Sequence, residues 1–312
     1  MSHLKDALLL TVIFLGTGTG ILYPGLGAVF QPILLYLMMG LLFLSFTSVN
    51  IASIWSLLKK SPLLITWLAA FKLVLLPVLV YALFSILWPE FALAALLLSG
   101  ISTGVVAPFI AQMVGGNVPL VLVLVIVSSL LVPFSLPVVV KVLASKTLVI
   151  SLGSMIRMLC FVIFVPIGLV QGLRRVWPGS INALSRRTFP FSLAIIGFIN
   201  LGVFSKYSAF FHQNPLTIAK AVAVAMLLGL IFLVAGSVIV WRKSLPFHVT
   251  SAISLCNINN VLVIVFAAEF FGPREPTVAA MYMIPFFLFI IPLRAMQRRH
   301  EIHRTQPGET DL

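Results

Sequence analysis

The sequence predicts an all-α membrane protein of ten transmembrane helices, arranged as two inverted five-helix repeats with the fourth and ninth helices interrupted. Three observations carry this. Of the 312 residues, 61% are hydrophobic and 9% charged, whereas a soluble domain carries roughly 25% charged residues and needs a polar surface that this composition does not supply. Apolar stretches long enough to cross a bilayer, about 20 residues each, recur along the whole chain. Finally, Lys and Arg collect in alternate breaks between those stretches.

The apolar segments run over 6–24, 29–48, 62–88, 91–114, 117–144, 147–173, 189–208, 216–241, 246–271 and 276–295. The breaks are short and carry Pro, Gly or charge, as in Lys59-Lys60-Ser61-Pro62, Trp88-Pro89-Glu90, Gly115-Gly116-Asn117 and Pro273-Arg274-Glu275. Most segments are rich in Leu, Val and Ile without alternation, which selects helices over barrel strands. The first segment ends in Tyr23-Pro24-Gly25 with no small-residue cleavage site, so it is expected to stay as a span. One polytopic domain is expected over 1–296, its repeats covering about 1–145 and 146–296, followed by a polar tail over 297–312. Cys160 and Cys256 sit inside apolar segments and read as buried free thiols.

The net charge of +13 is a topology signal rather than a nucleic-acid footprint. One side collects Lys5, Lys59, Lys60, Arg174, Arg175, Arg186, Arg187, Arg242, Lys243, Arg294, Arg298, Arg299 and Arg304. The other collects Lys141, Lys146, Lys206, Lys220 and Arg274. The positive-inside rule then places both termini in the cytoplasm, in the plasma membrane (the inner membrane of a Gram-negative cell).

Five spans per half invert the second half relative to the first, as in many secondary transporters, whose sites lie at the midplane where helices are broken. Span four reads Ser99-Gly100-Ile101-Ser102-Thr103-Gly104-Val105-Val106-Ala107-Pro108, a poor continuous helix. Span nine reads Ser254-Leu255-Cys256-Asn257-Ile258-Asn259-Asn260. Three Asn in four residues are costly in lipid unless they face a cavity or another helix. The competing reading is a packing face around Gly100 and Gly104, but both interruptions occupy position four of their halves. Lys72 in span three and Arg157 in span six lie about ten residues into their spans, deep enough to draw an organic anion inward; snorkelling is the alternative.

Leu37-Met38-Met39-Gly40-Leu41 with Lys59-Lys60-Ser61-Pro62 is similar to the second helix and basic loop of the bile acid:sodium symporter family. Gly116-Asn117 followed by Val127-Ser128-Ser129-Leu130-Leu131-Val132-Pro133, and Phe164-Val165-Pro166-Ile167-Gly168 with Gly172 and Arg174, resemble its later patterns. The resemblance implies ten helices in a panel and a core, with helices four and nine crossing at unwound centres. It also shows what is missing. Aligned back from Gly116, the family's sodium-ligating Ser-Asn pair is Ala107-Pro108 here, and aligned on Asn260 its Glu is Leu255. The acidic residues are Asp6, Glu90, Glu269, Glu275, Glu301, Glu309 and Asp311, all in loops, tails or span ends. Ser128 and Ser129 match a position that helps to bind sodium in the family, which leaves a residual cation site to consider.

The sequence therefore points to a secondary transporter of small organic anions without standard sodium coupling, contacting its substrate through Ser102, Thr103, Gln112, Asn257, Asn259 and Asn260, with Lys72 and Arg157. No cofactor is expected, and the missing carboxylate counts against sodium. The partners are the anion and the lipid bilayer, not nucleic acid. A non-transporting receptor or structural subunit on the same fold is the alternative. A metalloid efflux permease ranks below both, because such proteins use a Cys in helix four and span four has none. No nucleotide loop, metal cluster or Ser/His/Asp constellation suggests an enzyme.

Overall fold

The computed structural model describes residues 2–47, 61–144, 151–185 and 187–293. Lys59, Lys60, Lys146, Arg186 and the polar tail from Arg294 lie outside the described residues. All regular structure among the described residues is helical, apart from one isolated β-bridge.

Among the described residues, seven helices are long and apolar enough to cross a membrane: Pro24–Thr47, Pro62–Leu87, Val118–Ala144, Leu152–Val176, Thr188–Lys206, Leu216–Val238 and Arg274–Leu293. This is a multi-pass membrane protein. In chain order we label Ser2–Leu22 as α1, Pro24–Thr47 as α2, Pro62–Leu87 as α3 and Pro89–Gly100 as α4. Ala107–Met113 is α5, Val118–Ala144 α6, Leu152–Val176 α7, Pro178–Ser185 α8 and Thr188–Lys206 α9. Ser208–Gln213 is α10, Leu216–Val238 α11, Leu245–Cys256 α12, Asn260–Phe270 α13 and Arg274–Leu293 α14.

Local chemistry sets several boundaries. Prolines stand in the first two positions of α2, α3, α4, α5 and α12, where a missing N–H costs nothing and the fixed φ suits a helix. Pro24 thus starts the second segment earlier than residue 29. Ser151 caps α7, its Oγ accepting from the Ser154 N–H at 3.4 Å, so the described helix starts at Leu152 and Arg157 is only its sixth residue, not near mid-depth.

The helices sort into two packed groups. In one, α9 packs on α1 and α2, and α7 packs on α2. Gly16 and Gly20 make this approach close: a Cβ at Gly16 would lie 2.9 Å from the Gly197 carbonyl oxygen, and one at Gly20 2.8 Å from that of Leu201. Small residues drive such contacts because lipid tails offer no hydrophobic gradient between helices. In the other group, α3, α4, α5 and α6 pack together with α11, α12, α13 and α14. The groups touch where α7 meets α6 and where α9 and α2 meet α13.

Candidate functional site

Helix α4 stops at Gly100, and Ile101 turns to extended backbone at φ −76°, ψ 160°. The helical ladder resumes only at Ala107. Helix α12 stops at Cys256, with Asn257 at φ −88°, ψ 73°, and α13 starts at Asn260 after Asn259 at φ −77°, ψ 75°. The two breaks meet. Thr103 and Ile258 form an antiparallel bridge. The Gly104 N–H donates to the Asn257 carbonyl at 2.6 Å, and the Asn259 N–H donates to the Ser102 carbonyl at 2.9 Å.

Two half-helices unwound in a membrane must answer their backbone groups inside the protein, and the sequence does so largely with hydroxyls. The Thr103 N–H donates to Ser128 Oγ at 3.0 Å, and that hydroxyl donates onward to the Val125 carbonyl at 3.2 Å. Thr103 Oγ1 donates to the Ser254 carbonyl at 2.8 Å. The Tyr282 hydroxyl on α14 donates to the Cys256 carbonyl at 2.8 Å. In a continuous helix the N–H groups of Thr103, Gly104 and Asn259 would serve the carbonyls four residues back, those of Ser99, Gly100 and Leu255. All three are diverted, so those carbonyls lose their helical donors.

Gly104 permits this junction. A Cβ there would stand 2.7 Å from the Ile258 carbonyl oxygen and 3.1 Å from that of Asn257. Both obstacles are backbone, so the requirement is close approach rather than an unusual φ.

Most of the residues singled out from sequence gather here. Ser102, Thr103, Asn257 and Asn260 are buried at the junction and Asn259 is half-buried. Ser128 and Ser129 are buried on α6, with Ser128 bracing the first break. The Asn260 Nδ2 donates to the Ala279 carbonyl on α14, while its Oδ1 and the Ser102 Oγ have no hydrogen-bond partner. Lys72 is buried on α3 at 2% exposure, its Nζ also without a partner. Two residues stand apart: Gln112 is exposed on α5 and Arg157 is exposed on α7.

Sequence reasoning missed Tyr282. A tyrosine inside an apolar span requires a partner for its hydroxyl, and that was the available signal. It also missed the latch between the two helix groups at the end of α13. There the Lys206 Nζ donates to the Ala268 carbonyl at 2.8 Å, and the Tyr207 hydroxyl donates to the carbonyls of Ala268 at 3.1 Å and Phe271 at 3.3 Å. A cation suits a helix C-terminus. Lys206→Met is expected to destabilise the protein by about 1 kcal/mol, read as a lower melting temperature, whereas Lys206→Arg, which keeps a cationic donor, should lose less. Within the second group, Glu90 pairs with Lys220 at 3.0 Å and faces Arg274 at 3.8 Å. The Lys220 ammonium holds the Glu90 carboxyl below the usual carboxylate range.

An apolar crevice of about 510 Å³ opens between α3 and α6, lined by Ile65, Leu73, Val127, Leu131, Phe134 and Val138 among others. None of the polar residues at the junction lines it. No curated protein matches the chain significantly. Residues 32–214, more than half of the chain, match the model of the Sodium Bile acid symporter family, and the chain belongs to that family.

Proposed function

We propose that this chain is a secondary transporter that carries small organic anions by alternating access, without standard sodium coupling. In this reading residues 1–296 form one domain of ten spans in two inverted five-span repeats, with both termini on the cytoplasmic side of the plasma membrane. The observation that carries the reading is the backbone junction of two helix breaks at Thr103 and Ile258. Irregular backbone at membrane depth is tolerated where it is buried in protein or lines a cavity, and broken helices near the midplane mark the sites of secondary transporters. Family membership supports a carrier rather than an enzyme.

Ser102, Thr103, Asn257, Asn259 and Asn260 are proposed as the substrate contacts. The unpaired Ser102 Oγ and Asn260 Oδ1 have hydrogen-bonding capacity to spare. Gln112 and Arg157, exposed outside the junction, are proposed to recruit the anion. Ser128 and Ser129 stand behind the break as the residual cation site. The test is uptake of labelled taurocholate and pantoate into proteoliposomes with sodium, with potassium in its place, and with a proton gradient. Saturable uptake that is unchanged by replacing sodium is expected. Uptake that needs sodium would overturn the coupling part of the proposal. Saturable binding without uptake under any condition would favour a receptor.

A further inference from the structure

Lys206 is the last residue of α9 and Tyr207 follows it, and both side chains cross from the first helix group to the second. The Lys206 Nζ and the Tyr207 hydroxyl share the Ala268 carbonyl, at 2.8 and 3.1 Å, and the hydroxyl also meets the Phe271 carbonyl at 3.3 Å. These acceptors are main-chain oxygens at the C-terminal end of α13, where carbonyls lack helical donors and the dipole favours a cation. The other end of α13 is the junction, at Asn260. Its 11 residues span about 16 Å, so the tie lies one half-helix away from the two breaks.

The turn after α13 is also attached within its own group. Arg274 faces Glu90 at 3.8 Å, and Glu90 pairs with Lys220 at 3.0 Å. Apolar rings stand on both sides of the tie. Phe266, Phe270 and Phe271 make ring contacts at 5.1, 5.9 and 6.4 Å between centroids. On the α9 side Phe204 and Phe210 contact Phe211 at 5.7 and 5.5 Å. Phe204 and Phe266 are fully buried. Such surroundings limit competition from water and strengthen the hydrogen bonds between them. Helix α13 packs on α9 and α2 along the same seam, so a parting of the groups here would uncover the path to the junction.

We propose that Lys206 and Tyr207 form a latch: their hydrogen bonds hold the two helix groups together at this end, and they must part before the junction opens to this face. The donors are side chains and the acceptors are main chain, so the latch can be removed from the α9 side alone, with the residues of the junction unchanged. This deepens the proposed function by naming the contact that keeps one face closed, and it rests on that reading. Its test reads the distance between the groups rather than transport, so the two can fail separately.

Leu22 ends α1, beside the Ile21 carbonyl that accepts from the Ser208 hydroxyl just beyond the latch. Ile86 lies in the last turn of α3, close before Trp88, whose Nε1 donates to Glu90. Both side chains are exposed, one in each group. Spin labels are attached at Leu22→Cys and Ile86→Cys in the full-length chain carrying Cys160→Ser and Cys256→Ala, in lipid nanodiscs, and their separation is measured by double electron–electron resonance. With the latch intact one short separation should dominate. Lys206→Met with Tyr207→Phe should raise the population at longer separation about tenfold, and Tyr207→Phe alone should raise it by a smaller factor. An unchanged distance distribution in the double variant would overturn the proposal. If the double variant cannot be purified, Tyr207→Phe alone decides in the same way. A shift in distance with no uptake of taurocholate or pantoate keeps the latch and removes the carrier reading, whereas uptake with no shift removes the latch and keeps the carrier.

Discussion

Replacing Gly104 by valine is expected to abolish exchange of a labelled organic anion and to lower the melting temperature. The new Cβ alone would press on the Ile258 and Asn257 carbonyls, at 2.7 and 3.1 Å, and no flexible side chain can move aside. The break must shift, and with it go the Gly104–Asn257 and Asn259–Ser102 hydrogen bonds. Leaving a buried backbone group unanswered costs about 1–3 kcal/mol, and overpacking about 1–3 kcal/mol more. Gly104→Ala should show the same loss to a smaller degree. Exchange by Gly104→Val at the wild-type rate would show that the junction is not needed for function.

The second large effect is expected from Gly236→Leu on α11. A Cβ at Gly236 would lie 2.5 Å from the Ala252 Cα, 2.8 Å from its N and 2.9 Å from the Ser251 carbonyl oxygen. Here too the obstacle is backbone, so α11 must lift away from α12 four residues before the break at Cys256. A cost of about 3 kcal/mol or more is expected, read as a lower melting temperature and a smaller yield of folded protein. Gly168→Leu on α7 is the control. A Cβ there meets nothing within 4 Å, so that variant should melt like wild type.

These two glycines mark the limit of what the sequence discloses. The apolar segments were legible because a bilayer demands length and composition of each helix separately. The break after Gly100 was legible from its Gly, Pro and hydroxyls, and the break after Cys256 from its Asn residues. Their register was not. The pairing of Thr103 with Ile258 is made by backbone groups, and those groups are the same in every residue. The sorting of helices into two groups was hidden for a related reason, since hydropathy says that a helix meets lipid but not which neighbour it meets. Gly16 and Gly20, one turn apart on α1, are the signal for its contact with α9 that sequence reasoning missed.

Two of the proposed site residues were placed by counting from span edges, and counting misled for Arg157. The Ser151 cap moves the described start of its helix to Leu152, which brings Arg157 near an end and into an exposed position. Lys72 was legible as a buried charge because lysine is costly at that depth. The packing of its π-helical turn on α4 and α6 was not, because hydropathy does not say which neighbour a helix meets.

Alternating access can be tested without knowing the substrate. Asn259 is half-buried at the junction, so Asn259→Cys, in a chain with Cys160→Ser and Cys256→Ala, places one thiol there. A membrane-impermeant thiol reagent is applied to right-side-out and to inside-out vesicles. Labelling from both faces, blocked in each by prior modification from the other, is the predicted result. Labelling from one face alone, however long the exposure, would contradict transport across this junction and leave a one-sided binding protein.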